Sequence, residues 1–544
     1  MTTSGTSNST SIDWNKLIEV AVNAKLAQAT SISTTITGNE AKIAAYQTLQ
    51  SDLGNLASSM RSMATAVINS LATNVFATRA ATISATGDVS ASSALGMSVG
   101  NGAAIGDHTL QISQIATAHK VISATQPSQT DALGYSGTFS LGLEGGSTAD
   151  ISVTSTMSLL DVVDAINAQM STTNVQASIV QVANGSYAMI LTGTKDAADI
   201  STASVSGDDI MNALGTTDGA GAFNNVLQAA QPAEFVLDGI SLTRDTNTIT
   251  DVISGITFNL LQPTPSGTKL NISIGTNTNQ IASALATFVD NYNVFRDAVV
   301  AQQATNSDGT AASGTALFGD GTMREIMNQL QAALNSTVDG LTMADLGLSF
   351  NEKNELMLDT GKLDTILSTN LSGVTKLLSA QTTTSSSQLG IIDTGTSPQS
   401  FTLDLTVDAS GALAAASVGG DSSLFTVSGR SIIGNAGTIY AGMAFSYTGT
   451  TSQSISVTST LGLAAQLYKI SSNYSSASGA LQTLIGGLQT RDSELQQKVT
   501  DIQGLASAYQ SQLQAQYAKY QAAIQSANNT MTYLKALLDA ASNG

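Results

Sequence analysis

Both ends of the chain carry a heptad pattern of apolar residues, and the pattern stops between them. From Leu481 alternating steps of four and three fall on Ile485, Leu488, Asp492, Leu495, Val499, Ile502, Ala506, Tyr509 and Leu513. They continue through Gln516 and Tyr520 and, after a second successive step of four, through Ile524, Ala527, Met531, Leu534 and Leu538, and only Asp492 and Gln516 are polar. Near the start the same steps give Trp14, Ile18, Val22, Lys25, Ala29, Ile32, Ile36, Asn39, Ile43, Tyr46, Gln50, Leu53, Ala57, Met60, Ala64, Val67 and Leu71. Apolar spacing held over so many heptads predicts a coiled coil or long bundle helices. The flanking positions are mostly Gln, Ser, Ala and Thr, so they lack the salt bridges that fix partner choice in a dedicated zipper.

The ends and the middle differ in composition. Residues 1–75 have no net charge and residues 461–544 are +1, whereas 76–280 carry −11 and 281–460 carry −9. All five Pro and all twelve Phe lie in the middle. Proline breaks helices, so its absence from both ends agrees with the heptads. An acidic chain of net charge −19 does not bind nucleic acid by neutralising phosphates. Without Cys it has no disulfide, thiolate metal site or Cys nucleophile. Met1 to Ser11 has neither a basic nor an apolar leader segment, and no run of 18 apolar residues exists to span a bilayer. Residues alone would place such a chain in the cytosol, but a protein leaving without a cleaved signal reads the same.

The middle reads as β structure. Phe235–Leu237, Asp238-Gly239 and Ile240–Leu242 form a hairpin signal, because Asp-Gly supplies the positive φ of a type I′ turn. Asn184-Gly185 sits in the same way between residues 177–182 and 186–191. Ser158 is placed to cap a short helix with Asp161 in its first turn and Leu159, Val162, Val163, Ile166 and Met170 on its apolar face. Residues 388–460 are again strand-like, with Phe401, Leu403, Leu405 and Val407 alternating with polar residues. Between the β regions, Ile281, Leu285, Phe288, Val289, Tyr292 and Phe295 share a helical stripe, and a shorter helix is expected at 321–335.

The chemistry-bearing motifs are missing. Residues 100–106 miss a dinucleotide loop by one position and read as an ordinary Gly-rich loop. His108 and His119 have no neighbour in sequence that suggests general-base work, and Asp161 with Asp164 reads as a solvated helix face. No Asp-x-Asp-x-Asp-Gly loop indicates calcium. Trp14 suits either an amphipathic anchor or a buried contact. No catalytic, metal or cofactor residue is assigned, and the chain is read as a non-enzyme.

Several segments resemble the flagellar filament cap (FliD, hook-associated) family, in that family's order. They are residues 11–18 (SIDWNKLI), residues 106–120 with Thr109 and Ile115 in place of Tyr and Leu, and residues 159–191 around Ile166-Asn167, which are similar to an IN repeat. The most specific stretch runs from Phe235 through Asp238-Gly239, Arg244 and Asn247-Thr248-Ile249 to Gly255–Leu260. Phe288-Val289 with Tyr292-Asn293, and then 346–363 with Asn354 at a usual Gly, complete it. Only 388–460 lies outside the resemblance.

The resemblance implies an α+β fold: a long coiled-coil-like helical stalk formed by both chain ends, with inserted antiparallel β-rich head domains. The expected parts are a helical leg at 1–40, disordered in the monomer, and a stalk helix at 41–75. The head follows at 76–128, with an outer head domain at 129–229 and a second head segment at 230–280. Stalk helices and a hairpin occupy 281–387, the inserted β module 388–460, a stalk helix 461–500 and a C-terminal leg 501–544. The expected oligomer or partner-helix seam is Ile18, Val22, Ile32, Ile36, Leu495, Val499, Ile502, Tyr509, Leu513, Tyr520, Ile524, Met531, Leu534 and Leu538. Asp238, Gly239, Asn184 and Gly185 are expected as structural turns. Function by resemblance is capping of the distal filament tip, which retains exported flagellin and promotes its polymerisation. The implied partners are further copies in a ring, a pentamer by resemblance, together with flagellin, hook–filament junction proteins and an export chaperone. No nucleic acid, membrane span or cofactor is implied. The location is extracellular, reached through the flagellar type III channel without a cleaved signal. The alternatives are a junction or flagellin-like axial protein, or an adhesin whose head binds host or surface glycans.

Overall fold

The computed structural model describes residues 13–66, 71–87, 90–395 and 399–542. Heptad position Val67, residues 11–12 of the family-like opening and the Ser/Thr-rich segment before them lie outside the described residues. The chain divides into two compact units, the first residues 1–69 with 281–544 and the second residues 70–280. The fold is α+β, with long helices at both ends and sheets whose described strand pairs are all antiparallel.

The first unit is built on α1 (Trp14–Ala64), which starts where the Asp13 side chain accepts a hydrogen bond from the Lys16 amide. Its inner half buries Tyr46, Leu49, Leu53, Leu56, Met60 and Met63. The stripe expected over 281–300 lies on α3 (Thr278–Ala301), and all six of its named residues are buried. Helix α4 (Gly321–Leu334) is capped by Asp320, whose Oδ1 accepts the Thr322 and Met323 amides. The other oxygen of Asp320 accepts the Tyr46 hydroxyl at 2.6 Å, tying α1 to the start of α4. Burial and that carboxylate both push the Tyr46 hydroxyl well above the usual tyrosine range. Helices α5 (Thr360–Thr369) and α6 (Leu371–Leu378) lead into a β module. The chain returns through α7 (Leu463–Ser475), which packs on α1, and ends in α8 (Ala480–Ser542), 63 residues long.

The β module begins earlier than the 388–460 read from sequence. Strand Ala380–Thr384 pairs with Gln453–Leu461, so the entering and leaving segments lie side by side.

The second unit holds a five-stranded sheet in the spatial order Arg79–Ala85, Leu270–Thr276, Gly106–Gln114, Ala233–Leu237 and Ile240–Arg244. A three-stranded sheet (Thr248–Ile249, Ile256–Leu260, Leu95–Val99) shares its core around Ile112, Phe235, Phe258 and Ile272. A separate core, centred on Phe139, Leu141, Ile166, Met189 and Leu191, belongs to the segment between residues 121 and 214. Helix α2 (Leu159–Ala168) covers it; Ser158 caps it as the sequence suggested, and Asp161 caps Ser158 in return. Met170 is a correction: α2 stops at Ala168 with Gln169 as its cap, so Met170 falls past the apolar face and is exposed.

The two turns also differ. Asp238 and Gly239 take φ of 50° and 85°, both left-handed, as a type I′ turn requires. At the second turn Gly185 has φ 69° but Asn184 is not left-handed, so this connection is not type I′. A register shift between Gln181 and Ala183 explains it, because the extra residue re-aims the strand before the turn. Asn354 takes φ 59°, the conformation expected of an Asn replacing Gly.

Candidate assembly interface

The predicted seam divides into a closed part and an open part. In the closed part α1 and α8 run antiparallel. Trp14 stacks against Tyr517 with ring centroids 4.8 Å apart, and the Lys25 ammonium lies over the Tyr509 ring at 4.7 Å. Ala29, Ile32 and Ile36 cluster with Leu495, Val499 and Ile502. Asn39 donates to Asp492 Oδ1 at 2.6 Å, and Gln50 donates to Gln482 at 3.3 Å. Ile18, Ile36, Val499 and Leu513 are buried, and Val22, Ile32, Leu495, Ile502 and Tyr509 are half-buried. Of the α1 heptad positions from Trp14 to Ala64, only Lys25 is exposed.

Asn39 and Asp492 are heptad positions in the sequence, and periodicity alone does not pair them. Their identity as the polar interruptions at facing heptads was the available signal. Asp492 Oδ2 is buried and accepts no hydrogen bond among the described residues. A polar layer of this sort costs stability and favours one pairing over others.

Past Tyr517 the seam opens. Tyr520, Ile524, Met531, Leu534 and Leu538 are 47–70% exposed, and Tyr533 and Leu537 lie exposed beside them. The heptad continues, yet nothing among the described residues covers it. A stripe of this size is unusual on the solvent face of a helix.

The motif residues of the second unit and of α3 have structural roles. Three asparagines clamp a distant segment by its backbone, a strand for Asn167 and Asn293 and the link between two strands for Asn247. Asn167 donates to the Ala177 carbonyl and accepts the Ala177 amide, at 2.9 and 2.8 Å. Asn247 does the same to Ala116 at 2.8 and 2.7 Å, and Asn293 to Leu356 at 2.9 and 2.8 Å. A primary amide presents one donor and one acceptor side by side, so it can stand in for a missing ladder partner. The Asn roles were not legible from spacing alone, since each partner lies 10–131 residues away.

Asp238 is more than a turn residue. Its carboxylate accepts the Thr109 amide at 2.7 Å and meets His108 Nδ1 at 2.7 Å. Burial alone would raise its pKa, but the bonds from His108 and Thr109 outweigh burial and hold it below the usual carboxylate range. His119 is buried, and its Nδ1 accepts the Ile200 amide at 2.8 Å. Among the described residues no group of three or more His, Asp or Glu is placed to hold a metal ion, and no helix is long and apolar enough to cross a membrane.

The family described as Flagellar hook-associated protein 2 C-terminus matches residues 230–529, and its N-terminal counterpart matches residues 10–119. The Flagellin hook IN motif matches residues 138–195. The chain is 29% identical over 384 residues to flagellar hook-associated protein 2 of Escherichia coli (strain K12), covering 68% of this chain and 78% of that one. It is 26% identical over 303 residues to the A-type protein of Pseudomonas aeruginosa, covering 51% and 62%. A crystal structure of the flagellar cap protein FliD D1-D2-D3 domains from Escherichia coli aligns with TM-score 0.49 at 20% identity, covering 82% of this chain and 99% of that one.

Proposed function

The chain belongs to the flagellar hook-associated protein 2 family, and from that premise we propose that it caps the distal tip of the flagellar filament. Seated there, the cap retains exported flagellin and promotes its folding and polymerisation beneath itself. The observation that carries the assembly half of this reading is the open stripe from Tyr520 to Leu538. Each such side chain, once fully buried, contributes roughly 1.5–3 kcal/mol. The stripe therefore favours association once a partner helix is available.

In this reading the chain works as a homo-oligomeric plate, a pentamer by resemblance, in contact with flagellin and the hook–filament junction proteins. It reaches the tip through the flagellar type III channel after release from an export chaperone. A Cys-free sequence threads and refolds without redox errors. The ends are near-neutral, which suits helices that order against neighbours.

Electron microscopy of the purified chain tests the proposal. Small closed rings, and restored filament growth in cells lacking the cap, are expected. Open filaments would make the chain flagellin-like, and rings that do not restore growth would contradict capping.

A further inference from the structure

We propose that residues 380–461 form a self-contained module on which neither the fold of the helical unit nor capping depends. Three observations carry this. Entry and exit meet: Ala380 pairs directly with Leu461, and just outside them the Gly462 amide donates to the Ser379 carbonyl at 3.1 Å. Domains whose ends adjoin are those tolerated as insertions. The junction is tightly closed, because a Cβ on Gly462 would lie 2.5 Å from both Leu378 C and Ser379 O.

The module also has its own core. Two four-stranded sheets face each other. One comprises Ala380–Thr384, Gln453–Leu461, Phe401–Val407 and Leu413–Ser417. The other comprises Leu389–Thr394, Met443–Tyr447, Ser431–Gly434 and Phe425–Ser428. Every member of the core they enclose lies between residues 389 and 457. Phe401 centres an aromatic cluster with Phe425, Tyr440 and Phe445, at ring centroid distances of 4.8–6.3 Å. On the helical side, α6 ends in buried Leu377 and Leu378, α7 begins with buried Leu463 and Ala464, and α6 packs on α7, so each flank is anchored in the helices.

The capping arm of the test rests on the proposed function; the folding arms do not. In the full chain, residues 381–460 are replaced by Asn-Gly, a two-residue turn that closes an antiparallel pair. The helical unit should melt within about 3 °C of the parent, and the variant should support filament growth as the parent does. In a second full-length variant, Phe445→Asp, hydrogen-exchange protection should fall within 389–457 and stay unchanged in α1, α3 and α8. The proposal is overturned if the turn-closed variant loses helical structure, or if Phe445→Asp lowers protection in α1 or α7. It is also overturned if the turn-closed variant folds and fails to support growth where the parent succeeds. If the parent itself supports no growth, the capping reading fails, and the folding arms still decide this proposal.

Discussion

Single side chains hold this molecule together at places where strands would otherwise end unpaired. Asn293 on α3 is the clearest, because Leu356 is buried and both of its backbone groups are satisfied by that one amide. Asn293→Ala should cost about 1–3 kcal/mol, the penalty for unsatisfied buried groups. Urea unfolding would read it, and a loss below about 0.5 kcal/mol would show that the clamp is dispensable. Asp238 gives a pH test. Its folded pKa is depressed, so its stabilisation is present above the unfolded carboxylate value and lost as pH falls through the folded value. The gap in melting temperature between the parent and Asp238→Asn should be largest near pH 7 and shrink below about pH 4. A gap that does not change with pH would exclude a charge-dependent role. Gly239→Val meets no steric neighbour, so its cost of roughly 1–3 kcal/mol is the left-handed backbone alone. At this scale the sequence was only partly legible. Gly239 and Asn354 announce their turns through residue type, whereas Asn167, Asn247 and Asn293 look like any polar residue until the fold brings a distant segment to them.

Helices were the most legible elements, because a heptad records its own burial. From Trp14 to Ala64 the heptad stripe, Lys25 apart, is the buried or half-buried face of α1, and from Leu481 to Leu513 it is the buried or half-buried face of α8. Sequence could not show where the seam would stop being satisfied, since periodicity says which face is apolar and not whether a partner is present. The divide predicts two kinds of variant. Ile485→Asp places a charge in the closed seam and should lower the melting temperature of the isolated chain, because an unpaired buried charge is neutralised or expelled. Ile524→Asp with Leu534→Asp alters exposed positions and should leave that temperature unchanged. Hydrogen exchange in a dilute monomer should show little protection before about residue 40 and after about residue 500. There α1 buries few side chains between Trp14 and Gly38, and Thr30, Thr34, Thr35 and Thr37 each turn their hydroxyl onto a backbone carbonyl four residues back. Strong protection at both ends would mean the pair is stable without an assembly. Periodicity extends α2 past its cap to Met170, and residue type places the turn at Asn184-Gly185 but does not show the bulge that alters its geometry.

At the scale of the whole molecule, charge and covering agree. The net negative charge is confined to the middle of the chain, while the terminal helical segments carry almost no net charge. Self-repulsion is therefore low where copies must come together, and solubility is kept by the rest. Whether copies assemble through the open end of α8, as proposed, is tested most directly by analytical ultracentrifugation of the parent beside Ile524→Asp/Leu534→Asp. The parent should sediment as a closed oligomer, and the double variant as a monomer of unchanged helical content. A double variant that sediments as the same oligomer would contradict the proposal.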